Sequence, residues 1–338
     1  TRTHLIILPI LILLLVTVLS AQSSAQTPNT AGFPLCRYGI AASEYERDVI
    51  AQVNAGWYLK FNYPIWYGPL PGNGAERAIM IKTFQKKTAQ GDYLPGYTTS
   101  MPLDKKLAAF IRSNSGAIWI IGNEVDRGPQ PGEIEGGQGD MYPEIYAVAY
   151  HEVSAFIKAN DPTARVAISA LVEVTPGRLQ YLDRVWNAYI DKYGRSMKVD
   201  IWNMHLYALP EVQADGITPN STANIALGTD PTLGKRDSAG FPDRCPDHDV
   251  YCKAEHDDMD IFAEQVIMMR QWMKDHGQQQ KPLMLSEFSI LYSYAGSDRP
   301  LSVRDEYGSY FTPERVSAFM RNAFDYLNQA HDEELGYA

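Results

Sequence analysis

The sequence predicts an α/β chain arranged as a (β/α)8 TIM barrel, and three observations lead there. Seven short apolar segments alternate with amphipathic helical segments in one continuous series, the order expected when parallel strands are joined by crossing helices. No glycine-rich phosphate loop follows the first strand, where residues 38 to 44 read YGIAASE, so a doubly wound nucleotide-binding sheet fits less well. Two glutamates, Glu124 and Glu287, each stand where an apolar strand ends.

The elements follow in order. Candidate strands are Tyr38 to Ala42, Trp57 to Phe61, Ala78 to Phe84, Ala117 to Gly122, Arg165 to Leu171, Val199 to Tyr207 and Leu283 to Phe288. Pro143 opens a helix whose Tyr146, Ala149, Val153, Phe156 and Ile157 recur at helical spacing, and Asn160 and Pro162 close it. Leu179, Leu182, Val185, Trp186, Tyr189 and Ile190 form the next stripe, stopped by Gly194. A third helix has Asp257, Asp258 and Asp260 at its positive end and Lys274 and Gly277 at its finish. The last starts at Thr312, an N-cap followed by Pro313, and buries Val316, Phe319, Met320, Phe324 and Leu327. The approach to an eighth strand would begin near Leu335, so the barrel reads as truncated before that strand.

A chain of 338 residues with 45% hydrophobic composition can bury a large core. Its start, Thr1 to His4, leads into an apolar run from Leu5 to Leu19 that is shorter than the ~20 residues of a usual membrane span. Small residues at 23 to 25 suit signal peptidase, so residues 1–25 read as an export signal and the protein as secreted, with an uncleaved anchor as the alternative. Residues 26–35 read as a linker and 36–338 as the barrel domain. The formal net charge of −10 opposes phosphate backbones and anionic lipid, which excludes nucleic acid as a favoured partner. Oligomeric state is not encoded in any pattern here.

Three cysteines leave one unpaired in an oxidising compartment. Cys245 and Cys252, in CPDHDVYC, read as a small disulfide loop, as free thiols, or as part of a metal site with Asp247, His248, Asp249 and His256. That cluster lacks the paired spacing of a zinc ribbon. It supports a metal-dependent hydrolase only as a minor reading, and no metal or organic cofactor is expected.

Catalytic groups of such barrels sit at the C-terminal ends of strands. By the period of two, Ile118, Ile120, Gly122 and Glu124 share one strand face, and Leu283, Leu285 and Glu287 share another. Ile201, Asn203, His205 and Tyr207 form a polar series on the strand between, opposite Trp202, Met204 and Leu206. Two carboxylates on one rim suit glycosidic bond cleavage, in which one holds a proton for the leaving oxygen while the other is ionised. Asp126 and Arg127 read as a local ion pair setting the loop after Glu124. Trp57, Trp66, Tyr67, Tyr292 and Tyr294 lie near strand ends, where aromatic faces stack on sugar rings.

The segments WIIGNE, WNMHLY and LMLSEF resemble the clan A retaining glycoside hydrolases, and among them unassigned bacterial members. The resemblance implies a (β/α)8 enzyme cleaving O-glycosidic bonds in an oligo- or polysaccharide, with β linkage. It implies Glu124 as acid/base, Glu287 as nucleophile, Asn123 as the hydrogen-bond partner of the sugar 2-hydroxyl, and His205 and Tyr207 as groups lining the site and orienting the nucleophile. Trp57, Trp66 and Tyr292 are further substrate-binding candidates. Two features depart from the clan: Lys60 and Asn62 stand where many members carry an arginine near the end of strand two, and the aromatic platform ending strand eight would lie beyond Ala338. The rival from another class is a noncatalytic carbohydrate-binding barrel.

Overall fold

The computed structural model describes residues 38–42, 47–61, 73–129, 138–221, 223–240, 243, 245, 247–290 and 304–330. The expected export signal, linker, Cys36 and eighth-strand approach lie outside these residues, as do Asn62, Trp66, Tyr67, Tyr292 and Tyr294. Among the described residues no helix is long and apolar enough to cross a membrane.

The fold is mixed α/β around parallel strands. In chain order the elements are β1 (Gly39–Ala41), α1 (Arg47–Gln52), β2 (Trp57–Lys60), β3 (Glu76–Ile81), β4 (Thr83–Lys87), β5 (Tyr93–Thr99), α2 (Lys105–Ser113), β6 (Ile118–Ile121), α3 (Pro143–Asn160) and β7 (Arg165–Ile168). They continue with α4 (Pro176–Tyr193), β8 (Trp202–Leu206), β9 (Arg236–Asp237), β10 (Val250–Tyr251), α5 (Met259–Asp275), β11 (Leu283–Phe288) and α6 (Pro313–Gln329). Five parallel strands form one sheet in the order β1-β2-β3-β6-β7, and β8 pairs with β11 in a parallel two-stranded sheet. A parallel bridge between Ala167 and Ile201 joins the two, and β11 approaches β1 without a ladder among the described residues.

Each of the seven predicted strand segments is represented in this parallel set. The third differs in detail: β3 ends at Ile81, Lys82 breaks the run, and the chain turns into an antiparallel β4–β5 hairpin that the apolar pattern had merged with the strand. The four predicted helices are α3 to α6. Their caps follow local chemistry: Thr175 accepts from the Arg178 amide ahead of Pro176, Asp258 accepts from the Asp260 and Ile261 amides, and Thr312 accepts from the Arg315 amide ahead of Pro313. A side-chain oxygen there satisfies amides that have no partner within the helix.

Period-two alternation divides the strands between two apolar layers. Leu59, Ala78, Met80, Ile118, Ile120, Ala167 and Ile201 pack together on one face, with Met284 of β11 against them. On the other face Ile79, Ile81, Trp119, Ile121, Val166, Ile168, Trp202, Met204 and Leu206 meet the helices. Leu283 and Leu285 join this helix-facing layer, not the face expected for them. The reason is a register shift between Leu285 and Glu287: Leu285 pairs with Met204 and Glu287 with the very next residue, His205. A bulge inserts one residue and reverses the parity of a strand. Ser286 is that residue, and it returns Glu287 to the side of His205.

The chain leaves β6 through Gly122, whose φ of +93° suits only a residue without a Cβ. A Cβ there would stand 2.7 Å from Val125 Cγ1 and 2.9 Å from Ser169 Cβ. Gly122→Ala is therefore expected to destabilise the protein by roughly 2–5 kcal/mol, combining left-handed strain of about 1–2 kcal/mol with overpacking of about 1–3 kcal/mol. Urea unfolding checks it, and an unchanged midpoint would refute the constraint.

Candidate active site

Three parallel strands deliver the site at their C-terminal ends. Glu124 lies three residues beyond β6, His205 and Tyr207 lie at the end of β8, and Glu287 lies near the end of β11. Glu124 has a φ of +44°, its amide donates to the Ala170 carbonyl at 3.0 Å, and its carbonyl accepts from the Arg127 amide at 3.1 Å. Left-handed backbone at a non-glycine residue is strained and is held by its surroundings. Here the Gly139 amide also bonds the Asn123 carbonyl at 2.9 Å, and the Met141 amide bonds the Val125 carbonyl at 2.7 Å.

His205 is fully buried between the two carboxylates. Its Nδ1 lies 3.1 Å from Glu124 Oε1 in a hydrogen bond, and its Nε2 lies 3.3 Å from Glu287 Oε1, off the line of one. One carboxylate oxygen of each glutamate and a ring nitrogen of His205 all fall within 4.8 Å of one another. The Tyr207 hydroxyl donates to Glu287 Oε2 at 3.0 Å. Asn123 is buried beside Glu124, donates to Gln138 Oε1 at 2.6 Å, and has no hydrogen-bond partner for its own Oδ1 among the described residues.

Burial pushes the Glu124 carboxyl upward, but the His205 hydrogen bond and charge, with Arg127 and Arg178, overcome it and leave the group below its ordinary value. Burial also raises Glu287; the Glu124 charge adds to the rise, and His205, Tyr207 and Lys82 only partly offset it. Burial and the Glu287 charge raise the Tyr207 phenol. The two carboxyls are thus driven apart in opposite directions.

The structure brings together Asn123, Glu124, His205, Tyr207 and Glu287. It does not bring Trp57 to them. Trp57 is the first residue of β2, paired with Glu76 at the start of β3, so it stands at the opposite end of the strands from Glu124 and Glu287 and packs over Gly39. The expected Asp126–Arg127 pair is also replaced: Asp126 turns inward to Arg178, and Arg127 stands 3.9 Å from Glu124 Oε2. One cation whose charge acts on Glu287, Lys82, was not singled out by sequence. Lys82 immediately follows an apolar strand, and that position was the available signal.

Cys245 and Cys252 form a disulfide with Cα atoms 5.5 Å apart. His256 is buried, its ring 6.3 Å from that of Phe311, and burial with Arg315 and Lys253 lowers it to about 3, whereas Asp247, His248 and Asp249 are exposed. Among the described residues Glu124, His205 and Glu287 are the group of such side chains close enough to share an ion.

No protein-family model matches the chain, and no curated protein does. Among solved structures it is similar to a GH128 (subgroup II) endo-beta-1,3-glucanase from Sorangium cellulosum, at 19% identity and a TM-score of 0.34, over 51% of this chain and 60% of that one. It is similar to a mutant GH128 (subgroup I) endo-beta-1,3-glucanase from Amycolatopsis mediterranei in complex with laminarihexaose, at 14% identity and a TM-score of 0.44, over 86% of this chain and 82% of that one. A GH family 44 endoglucanase from Clostridium thermocellum follows at 15% identity and a TM-score of 0.33, over 72% of this chain and 53% of that one. The chain thus spans less than two thirds of the first and third of these.

The opposite shifts give stability effects of opposite sign. A carboxyl raised by folding stabilises below its unfolded pKa, and that contribution is lost as pH rises through the folded value; a lowered one stabilises above its unfolded pKa and loses this as pH falls. At pH 7, Glu287→Gln should therefore raise the melting temperature and Glu124→Gln lower it, both differences shrinking toward pH 4. Melting curves across that range test it; two shifts of the same sign at pH 7 would contradict the electrostatics.

Proposed function

We propose that this chain is a secreted glycoside hydrolase that cleaves O-glycosidic bonds in a β-linked oligo- or polysaccharide through Glu124 and Glu287. The observation that carries the reading is the approach of the two carboxylates, with an oxygen from each within 4.8 Å. Carboxyl groups about 5–5.5 Å apart fit a retaining double displacement, whereas about 6.5–9.5 Å leaves room for the water of an inverting one. The seven parallel strands, with one apolar layer running from β2 round to β11, support a (β/α)8-type barrel over residues 36–338. Residues 1–25 would direct export and 26–35 link the two.

Glu124 gives its proton to the glycosidic oxygen as a Glu287 oxygen attacks the anomeric carbon. The carbon–oxygen bond breaks, and the leaving sugar departs with the proton. Glu124, now ionised, takes a proton from water, whose oxygen attacks the same carbon and frees Glu287. Tyr207 keeps one Glu287 oxygen occupied so that the other faces the sugar, and the open Oδ1 of Asn123 accepts from the 2-hydroxyl. His205 reconciles these roles with the lowered Glu124. A protonated Glu124 with neutral His205 holds as many protons as an ionised Glu124 with charged His205, and one transfer across the 3.1 Å contact interconverts them. A bound glycan excludes water, which disfavours separated charge and favours the proton on Glu124.

The test is sugar release from a panel of β-linked polysaccharides and aryl glycosides by full-length protein, with and without chelator. Glu124→Gln and Glu287→Gln should each lose about 10²–10⁴-fold in kcat. Azide should restore turnover of an activated aryl glycoside by Glu287→Ala with inverted product, and by Glu124→Ala with retained product. Release surviving in both Gln variants would remove the pair from catalysis, chelator-sensitive release would point to a metal, and binding without release would make this a noncatalytic carbohydrate-binding protein.

A further inference from the structure

Arg178 stands in the first turn of α4, fully buried, and its guanidinium is shared by carboxylates from the loops that follow three successive parallel strands. Asp126, after β6, pairs with Nη1. Glu211, after β8, brings Oε1 to 3.0 Å from Nε, out of line for a hydrogen bond, and Glu173, after β7, lies 3.9 Å from the same nitrogen. Nη2 donates to the Ala223 and Asn224 carbonyls at 3.1 and 2.9 Å. The carboxylates are held from behind by amides: Leu209 donates to Glu173 at 3.1 Å, Lys235 to Glu211 at 2.9 Å and Val172 to Asp126 at 3.4 Å. The Thr175 hydroxyl donates to Glu211 Oε1 at 3.1 Å.

Three carboxylates against one guanidinium would carry a charge of −2 if all were ionised, with no solvent to screen it. Removing the one cation would leave buried anions uncompensated, which a fold relieves by moving them. Asp126 is the member that matters for chemistry. It lies two residues beyond Glu124 in the same tight turn, and its side chain ties that turn to the loop after β7 through Val172 and to α4 through Arg178. The left-handed Glu124 backbone persists only while such ties hold it.

We propose that Arg178 is a positioning residue: by fixing Asp126 it fixes the Glu124 carboxyl against His205 and the scissile bond, and its loss acts on turnover more than on glycan binding. The proposal rests on Glu124 as the acid/base. It is independent of which sugar is bound.

Arg178→Lys keeps the charge but loses the planar fork that serves three loops, so it is not a neutral exchange. The experiment compares full-length wild type, Arg178→Lys, Asp126→Asn and, as a control for α4 itself, Arg184→Lys, whose partner Glu144 is exposed. Amide exchange across residues 122–128 should quicken by about tenfold or more in the first two variants and stay unchanged in the control. Displacement of a reacting group by about 1 Å costs on the order of 10²-fold, so kcat should fall by about 10–100-fold with KM nearly constant. In a Glu124→Gln background Arg178→Lys should cause no further loss, since it acts through a carboxyl already gone. Unchanged kcat, a loss confined to KM, additive losses, or exchange no faster at 122–128 than elsewhere would overturn the proposal. Should Arg178→Lys fail to fold, Asp126→Asn decides alone by the same readouts. Wild-type turnover in Glu124→Gln would defeat the acid/base reading and with it the catalytic half of the proposal; the exchange data would still decide whether Arg178 holds the turn.

Discussion

A fully buried imidazole held 3.1 Å from one carboxylate and 3.3 Å from another requires two otherwise separate strand ends to stay together. Only one of the glutamates reaches that geometry from within its own strand. β8 supplies His205 and Tyr207, β11 supplies Glu287, and Glu124 arrives from the loop after β6, two parallel strands away across β7. The electrostatics then follow from depth. Burial drives both carboxyls upward, and they diverge because the hydrogen bond and nearby cations favour ionised Glu124 while Glu287 feels the Glu124 charge.

Two local backbone devices make this possible, and they are of different kinds. On the β6 side a left-handed glycine and a left-handed glutamate, three residues or fewer past the strand, turn the chain sharply enough to aim a side chain back over the sheet. On the β11 side the bulge at Ser286 exchanges the faces of the strand, so that Met284 packs in one apolar layer while Glu287 still faces His205. A strand of regular alternation would have sent Glu287 toward the opposite face from Met284's neighbours two residues on, or lost the pairing with β8.

Much of this was legible in the residues. The apolar runs, the helical stripes and caps such as Thr312-Pro313 are local signals, and the parallel strands and long helices form where they indicate. The pairing of Glu124 with Glu287 was legible only because each ends such a run. What was not legible depends on distance or on one extra residue. Arg178 sits in a helical turn where sequence gives no hint of burial, since two of its three carboxylates, Asp126 and Glu211, come from 52 residues before it and 33 after it. Asp126 looked committed to adjacent Arg127 for the same reason. The Ser286 bulge adds a single residue inside an unbroken strand pattern, and the β4–β5 hairpin follows β3 after one lysine, so neither interrupts the apolar period enough to be seen. Trp57 was misplaced because the strand end was recognised without the strand direction being applied to it.

The rim therefore contains two acid-rich centres that differ in what balances them. Around Arg178 three carboxylates are shut away from solvent, burial raises all three, and one guanidinium faces them. Around His205 the contacts are fewer: one 3.1 Å hydrogen bond joins it to Glu124, and Glu287 is only partly buried. A closed centre thus stands next to a partly open one. The first holds loops from three strands in one arrangement. On the proposed mechanism, the second is where a proton would move, and a fixed scaffold beside it is what lets one carboxyl act as acid in one step and base in the next.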